Sequence, residues 1–147
     1  MSIRVMLADD HALLREALSL LLQMQPDIEV VSEVADGHGV LREFEQSRAD
    51  VVCMDIGMAG LDGIETTRQL LALQPAAKVI GVSAQQDLAY VAAMFDAGAL
   101  GYVVKGSASA GLLQAIRRVS QNQTYLDPVL GIGDPASLAP YSTRGAT

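Results

Sequence analysis

A single cysteine, Cys53, stands among 147 residues, so no internal disulfide can form. No pair of cysteines or histidines has the spacing of zinc ligands, which excludes a zinc finger or ribbon. Basic residues are scarce: ten lysines and arginines against seventeen aspartates and glutamates leave a net charge of −7 and a pI near 4.6. That sign is wrong for a nucleic-acid backbone or an anionic membrane surface, and it argues against direct DNA binding by this chain. Long hydrophobic runs are missing as well. No apolar stretch approaches the roughly 18 residues of a membrane span, and the start MSIRVMLADD meets acids before a signal-peptide core could form. A soluble, cytoplasmic protein is expected. What is there instead is apolar material: half the residues are hydrophobic, 18% are charged and the mean hydropathy is +0.28, which excludes a solvated disordered polymer. The length fits one domain.

Short β-branched runs alternate five times with longer stretches of helical spacing. The strands are expected at Ile3–Ala8, Glu29–Val34, Val51–Met54, Lys78–Ser83 and Gly101–Val104. Several are continuously apolar, as in a parallel sheet covered by helices on both faces. Between them run apolar stripes such as Leu14, Ala17, Leu18, Leu21 and Leu22, or Leu112, Leu113, Ile116 and Val119. Asp10, Asp36, Asp62, Asp87 and either Ser107 or Ser109 stand where helix N-caps are wanted. The fold class is therefore α/β, a doubly wound five-stranded parallel sheet occupying residues 1–126. From Gln121 the texture changes, with Pro128, Pro135, Pro140 and several glycines, so 127–147 is expected to be a flexible linker or tail.

In open parallel sheets, ligands collect at the carboxyl ends of the strands. The first strand ends in Asp9 and Asp10, the third in Asp55, the fourth in Ser83 and the fifth in Lys105. A strand order of 2-1-3-4-5 brings the three carboxylates into one crevice beside Lys105. Three negative charges against one positive repel unless a divalent cation sits among them. Oxygen ligands with open positions for water and phosphate suit Mg²⁺ better than zinc or copper. Each residue alone reads as a cap, a turn or a solvated charge; the coincidence of four strand ends is what points to phosphoryl transfer.

The stretches VMLADDH, VVCMDIGMAGLDG, VIGVSA and AGALGYVVK, in that order, closely resemble the receiver domain of bacterial two-component response regulators. The resemblance runs from Met1 to about Leu126. His11 after the acid pair, and LLQAIRRVSQNQTYL over 112–126, are similar to the LuxR/NarL-type subfamily, whose receivers precede a helix-turn-helix domain. The resemblance implies the flavodoxin-like receiver fold, and a regulatory phosphoacceptor that catalyses its own Mg-dependent phosphorylation and dephosphorylation. It implies Asp55 as the residue phosphorylated by a sensor histidine kinase. Asp9, Asp10, Asp55 and the Gly57 carbonyl would hold Mg²⁺, and Lys105 would pair with the phosphoryl group. Ser83 and Tyr102 would form the switch, read out through the fourth helix, fifth strand and fifth helix. It further implies control of transcription through a C-terminal DNA-binding domain outside this chain, with homodimer formation on phosphorylation.

Two departures from the family pattern stand out. Met58-Ala59-Gly60 replaces the usual Met-Pro-Gly, and Gly57 offers no side chain at a position that, with Gln85, tunes phosphoryl lifetime in the family. Other readings fare worse. A haloacid-dehalogenase-type phosphatase would carry an acid where Gly57 stands, and in a flavodoxin-like binding module Asp9 and Asp10 would repel the phosphate that the first loop cradles. A phosphate-independent interaction module of receiver fold is the alternative. Cys53 is expected to be core packing, Tyr102 either a switch or a half-buried aromatic on a short edge strand.

Overall fold

The computed structural model describes residues 2–106 and 109–142. Six parallel strands form one sheet: β1 (Ile3–Ala8), β2 (Ile28–Val34), β3 (Val51–Asp55), β4 (Lys78–Ser83), β5 (Gly101–Val104) and β6 (Tyr125–Leu126), in the order β2-β1-β3-β4-β5-β6. The five expected strands are all present in the expected order. The sixth is an addition. After the helix Ser109–Ser120, Asn122 turns the chain with a left-handed φ of 63°, and the Tyr125 N–H donates to the Leu100 carbonyl at 3.0 Å. Two residues are too few to show a period, yet they suffice to cover an edge of β5 that would otherwise expose unpaired backbone groups.

Alternation along the strands builds two cores. Val5, Leu7, Val51, Cys53, Ile80, Val82 and Val103 face α1 (Ala12–Gln23) and α5 (Ser109–Ser120). Met6, Ala8, Val52, Met54, Val79, Tyr102 and Val104 face the other side, where α2 (Gly37–Ser47), α3 (Gly63–Leu73) and α4 (Leu88–Asp96) pack. Because both faces are covered, the strands read as near-continuous apolar runs. Among the described residues no helix is long and apolar enough to cross a membrane.

Three of the anticipated caps are in place: Asp36, Asp62 and Asp87 accept from the N–H groups of Gly39, Glu65 and Ala89 at 2.7, 2.8 and 2.9 Å. Asp10 is not one of them. The Asp9 carboxylate takes the His11 N–H at 2.8 Å, α1 starts one residue later than expected, and Asp10 is left facing the loop after β3. Ser107, a candidate cap of α5, lies outside the described residues.

The expectation of a flexible segment from residue 127 is corrected as far as Ser142. Pro128–Leu130 and Pro135–Tyr141 form 3-10 helices, each preceded by an aspartate, Asp127 or Asp134, whose side chain accepts a backbone N–H. Asp-Pro at cap and first position is a helix-start signal, since proline's missing N–H is not needed there. Leu138, 3% exposed, is buried in the core on the α4 side, and Leu130 and Ile132 pack against it. Composition read as loose linker thus conceals two short capped turns.

Candidate functional site

The carboxyl ends of β1, β3, β4 and β5 bring Asp9, Asp10, Asp55, Ser83 and Lys105 to one end of the sheet, while Tyr102 stands within β5. Carboxylate oxygens of Asp9, Asp10 and Asp55 and a ring nitrogen of His11 lie within 4.8 Å of one another. Lys105 reaches in from β5, its Nζ 3.3 Å from Asp9 Oδ2 and 3.2 Å from Asp55 Oδ2. The loop that carries Lys105 is registered by the Lys105 N–H, which donates to the Ser83 carbonyl at 2.8 Å. One ammonium therefore bridges two buried carboxylates, 4% and 3% exposed, while Asp10 stays at the surface.

The buried Asp55 carboxylate is only partly satisfied. Its Oδ1 accepts the Gly57 N–H at 3.0 Å, which fixes the plane of the carboxylate. Its Oδ2 is buried and accepts no hydrogen bond of good geometry among the described residues, and the Lys105 ammonium stands 3.2 Å from it. Burial pushes the Asp55 carboxyl above the ordinary aspartate value and Asp9 adds to the rise, against the pull of the Gly57 N–H and Lys105. A buried oxygen with an unused lone pair, facing two other carboxylates across less than 5 Å, fits a hard cation with oxygen ligands. The donor set matches magnesium on chemistry.

A cleft of about 390 Å³ opens above Asp55, lined by His11, Gly57, Ser83, Gln85, Tyr90 and Lys105 among others. Both Gly57 and Gln85 thus border the approach to the carboxylate. Ser83, 5% exposed, accepts the Gln85 N–H on its Oγ at 3.0 Å, and the Gln85 carbonyl accepts the Tyr102 hydroxyl at 2.8 Å. Burial raises the Tyr102 phenol above its ordinary value, opposed by a hydrogen bond with the Ser83 side chain. Tyr102 is fully buried, and β6 makes β5 an interior strand, so the picture of a half-buried edge aromatic is corrected. Cys53 is buried one turn of the strand below Asp55, its thiol pushed up to about 12 by desolvation, in keeping with a packing role.

Three contributors escaped sequence reasoning. His11 Nδ1 stands 3.2 Å from both Asp9 Oδ1 and Asp10 Oδ1. Arg15, one turn into α1, donates from Nη1 to the Asp9 carbonyl and pairs through Nε with Glu33 of β2 at 3.6 Å. Asp127 accepts the Val104 N–H at 2.9 Å, next to Lys105. The only sequence signal for these was proximity to the acid pair or, for Asp127, its place before a proline.

Comparison with known proteins follows the same lines. The profile of the family described as "Response regulator receiver domain" matches residues 5–117. Over 126 residues the chain is 36% identical to the transcriptional regulatory protein DegU of Brevibacillus brevis, covering 86% of this chain and 53% of that one. Over 125 residues it is 39% identical to the transcriptional regulatory protein LiaR of Bacillus subtilis, covering 85% and 59%. The chain therefore spans a little over half the length of these curated relatives. The crystal structure of a LuxR-family two-component response regulator from an Aurantimonas species superposes with a TM-score of 0.86 at 34% identity, over 89% of this chain and 94% of that one.

Proposed function

The chain belongs to the response regulator receiver family, and we propose that it accepts a phosphoryl group on Asp55 from a sensor histidine kinase and changes conformation in response. The observation that carries this reading is the pairing of a buried, unbonded Asp55 Oδ2 with the ammonium of Lys105 at 3.2 Å. An oxygen of the ionised Asp55 carboxylate attacks the phosphorus of a phosphohistidine; an O–P bond forms, the N–P bond breaks with its electron pair going to nitrogen, and the ring leaves as neutral imidazole because its other nitrogen already carries a proton. Little covalent assistance is needed in such a transfer, so positioning and charge neutralisation supply most of the catalysis. Lys105 balances phosphoryl oxygens from one side. Asp9, Asp10, Asp55 and the Gly57 carbonyl would hold Mg²⁺, which when bound would neutralise the remaining negative charge. The raised Asp55 pKa fits the role, because burial that penalises a free carboxylate would make its neutralisation by a bound cation more favourable.

The switch in this reading starts at Ser83. A hydroxyl that turns to a phosphoryl oxygen on Asp55 gives up the Gln85 N–H, and the Gln85 carbonyl then no longer holds Tyr102 where it stands. Phosphorylation favours whichever conformation gives the phosphate better contacts. Gly57 and Gln85, both on the cleft, set how freely water reaches the acyl phosphate. The output we assign is transcriptional, through a DNA-binding domain of a longer protein, as the names of the relatives support.

Incubation with acetyl phosphate tests the reading. One hydroxylamine-labile phosphoryl group should appear by intact mass, only with Mg²⁺ present, and Asp55→Asn should abolish it. Labelling of that variant at the wild-type rate would reject the assignment and leave a phosphate-independent interaction module as the better description.

A further inference from the structure

The segment that follows α5 is tied to two different parts of the molecule. One tie is at β5. The Asp127 N–H donates to the Tyr102 carbonyl at 3.0 Å, and the buried Asp127 carboxylate accepts the Val104 N–H at 2.9 Å, one residue before Lys105. The other is on α4. Leu138 is buried in the same cluster as Val91, Ala92 and Met94 of that helix, and Ser142 Oγ donates to Asp96 Oδ2 at 2.6 Å. Among the described residues, the 3-10 helix Pro135–Tyr141 is the most extensive packing partner that α4 has, ahead of β5 and α3. α4 is a short helix held largely by a segment that lies beyond the family-matched residues 5–117.

The entry to α4 hangs on the phosphorylation site. Residues 84–87 join Ser83 to the helix, and that loop is pinned by the Gln85 N–H on Ser83 Oγ and the Tyr102 hydroxyl on the Gln85 carbonyl. If Ser83 turns to a phosphoryl group, these pins loosen and α4 is free to move against β5. A segment fastened to both elements opposes that movement.

We propose that residues 127–142 are a strap that braces α4 against β5 and is released when Asp55 is phosphorylated. The coupling to phosphate rests on the receiver reading of the site; the bracing does not. Coupling between two events is reciprocal, so undocking the strap must favour the phosphorylated conformation by the factor with which that conformation loosens the strap.

Hydrogen exchange on the full chain, with beryllofluoride and Mg²⁺ as the phosphoryl mimic, tests both halves. In the wild type, amides of 136–142 should exchange roughly 10-fold faster once beryllofluoride is bound. Leu138→Glu, which places a charge in the apolar seat of the strap, should bind beryllofluoride about 5–10-fold more tightly, within the usual range of allosteric coupling. The same variant without beryllofluoride should exchange faster in α4 while β1 and β3 stay protected. Ser142→Ala, which removes the tie from Ser142 Oγ to Asp96 and leaves the apolar seat of Leu138 intact, should move each readout the same way by less. Unchanged exchange in α4 of Leu138→Glu overturns the brace. Unchanged or stronger protection of 136–142 in the loaded wild type, or equal beryllofluoride affinity in the variant, overturns the coupling. A wild type that binds no beryllofluoride overturns the receiver reading of the site, and the coupling with it, but not the brace.

Discussion

Gly63 packs against Asp55 so closely that a Cβ at Gly63 would stand 2.6 Å from the Asp55 carbonyl oxygen and 2.7 Å from Ile56 Cα. Both are backbone atoms at the end of β3 and cannot swing aside. The Gly63 N–H donates to the Ile56 carbonyl at 3.1 Å, so the start of α3 is stitched onto the end of β3. Gly63→Ala should therefore force the two apart, at a cost of about 2 kcal/mol for overpacking, or roughly 6 °C in melting temperature for a domain of this size. Gly57 makes the contrast. A Cβ there would meet Asp55 Oδ1 at 3.7 Å, ordinary contact, and Gly57→Ala should leave stability within about 0.5 kcal/mol of the wild type. Equal melting temperatures for the two variants would refute the distinction.

The raised pKa of Asp55 has a consequence for stability. An acid that holds its proton more tightly folded than unfolded stabilises the fold most when protonated. Stability contributed by Asp55 is thus present below the ordinary value of 3.8, is lost as pH rises from there to the raised folded value, and stays lost above it. Asp55→Asn removes that loss. At pH 7 without metal the variant should be more stable by roughly 1 kcal/mol, a gain of about 3 °C, and should converge with the wild type in acid. Added Mg²⁺ should raise the melting temperature of the wild type and close the gap. A variant that melts below the wild type at pH 7 would contradict the electrostatic argument.

The strands were legible because each is a dense apolar run that ends in a chemically distinctive residue. Asp9, Asp55, Ser83 and Lys105 could be located from sequence for the same reason: a polar residue at the end of a buried strand has few places to go. Asp10 is not the cap its residue type suggests, because α1 begins at Ala12 with His11 at its N-cap position, one residue later than the spacing implies, and the neighbouring Asp9 carboxylate takes the His11 N–H. Tyr102 looked like an edge residue only because β6 was too short to register as a period. Leu138 was hidden for a different reason: its burial depends on packing against α4, an element distant in the sequence, and nothing in its local sequence announces that partner.

Asp10 and Lys105 should separate metal binding from phosphoryl transfer. Asp10 contributes a half-exposed carboxylate, 3.3 Å from the Ala59 N–H, to the acid cluster and takes no part in the Lys105 bridge. Asp10→Ala removes a ligand and a charge together, and should weaken Mg²⁺ binding by about 10-fold or more in calorimetric titration. Lys105→Ala takes away the cation between Asp9 and Asp55, so Mg²⁺ should bind at least as tightly while acetyl phosphate labelling slows. Parallel loss of Mg²⁺ affinity in both variants would show that the two residues act as one unit.

Residues 1–147 alone should not bind DNA, and the structure sharpens the reason beyond net charge. The one adjacent basic pair in the last helix, Arg117–Arg118, is spent within the fold. Arg117 grips Asp27 through Nε at 2.9 Å and Nη2 at 3.0 Å and also reaches Gln25, and that contact holds the Asp27 carboxyl below its usual value. Arg118 donates from Nε to the Thr124 carbonyl at 3.0 Å, where it steadies the turn into β6. Phosphate contacts need several free cations on one element, because each contributes a released counterion and a share of the salt dependence. A chain with net charge −7 repels the duplex before any such contact forms. A mobility-shift titration at physiological salt should show no saturable complex, and sequence-selective binding by this chain would overturn the assignment of DNA recognition to another domain.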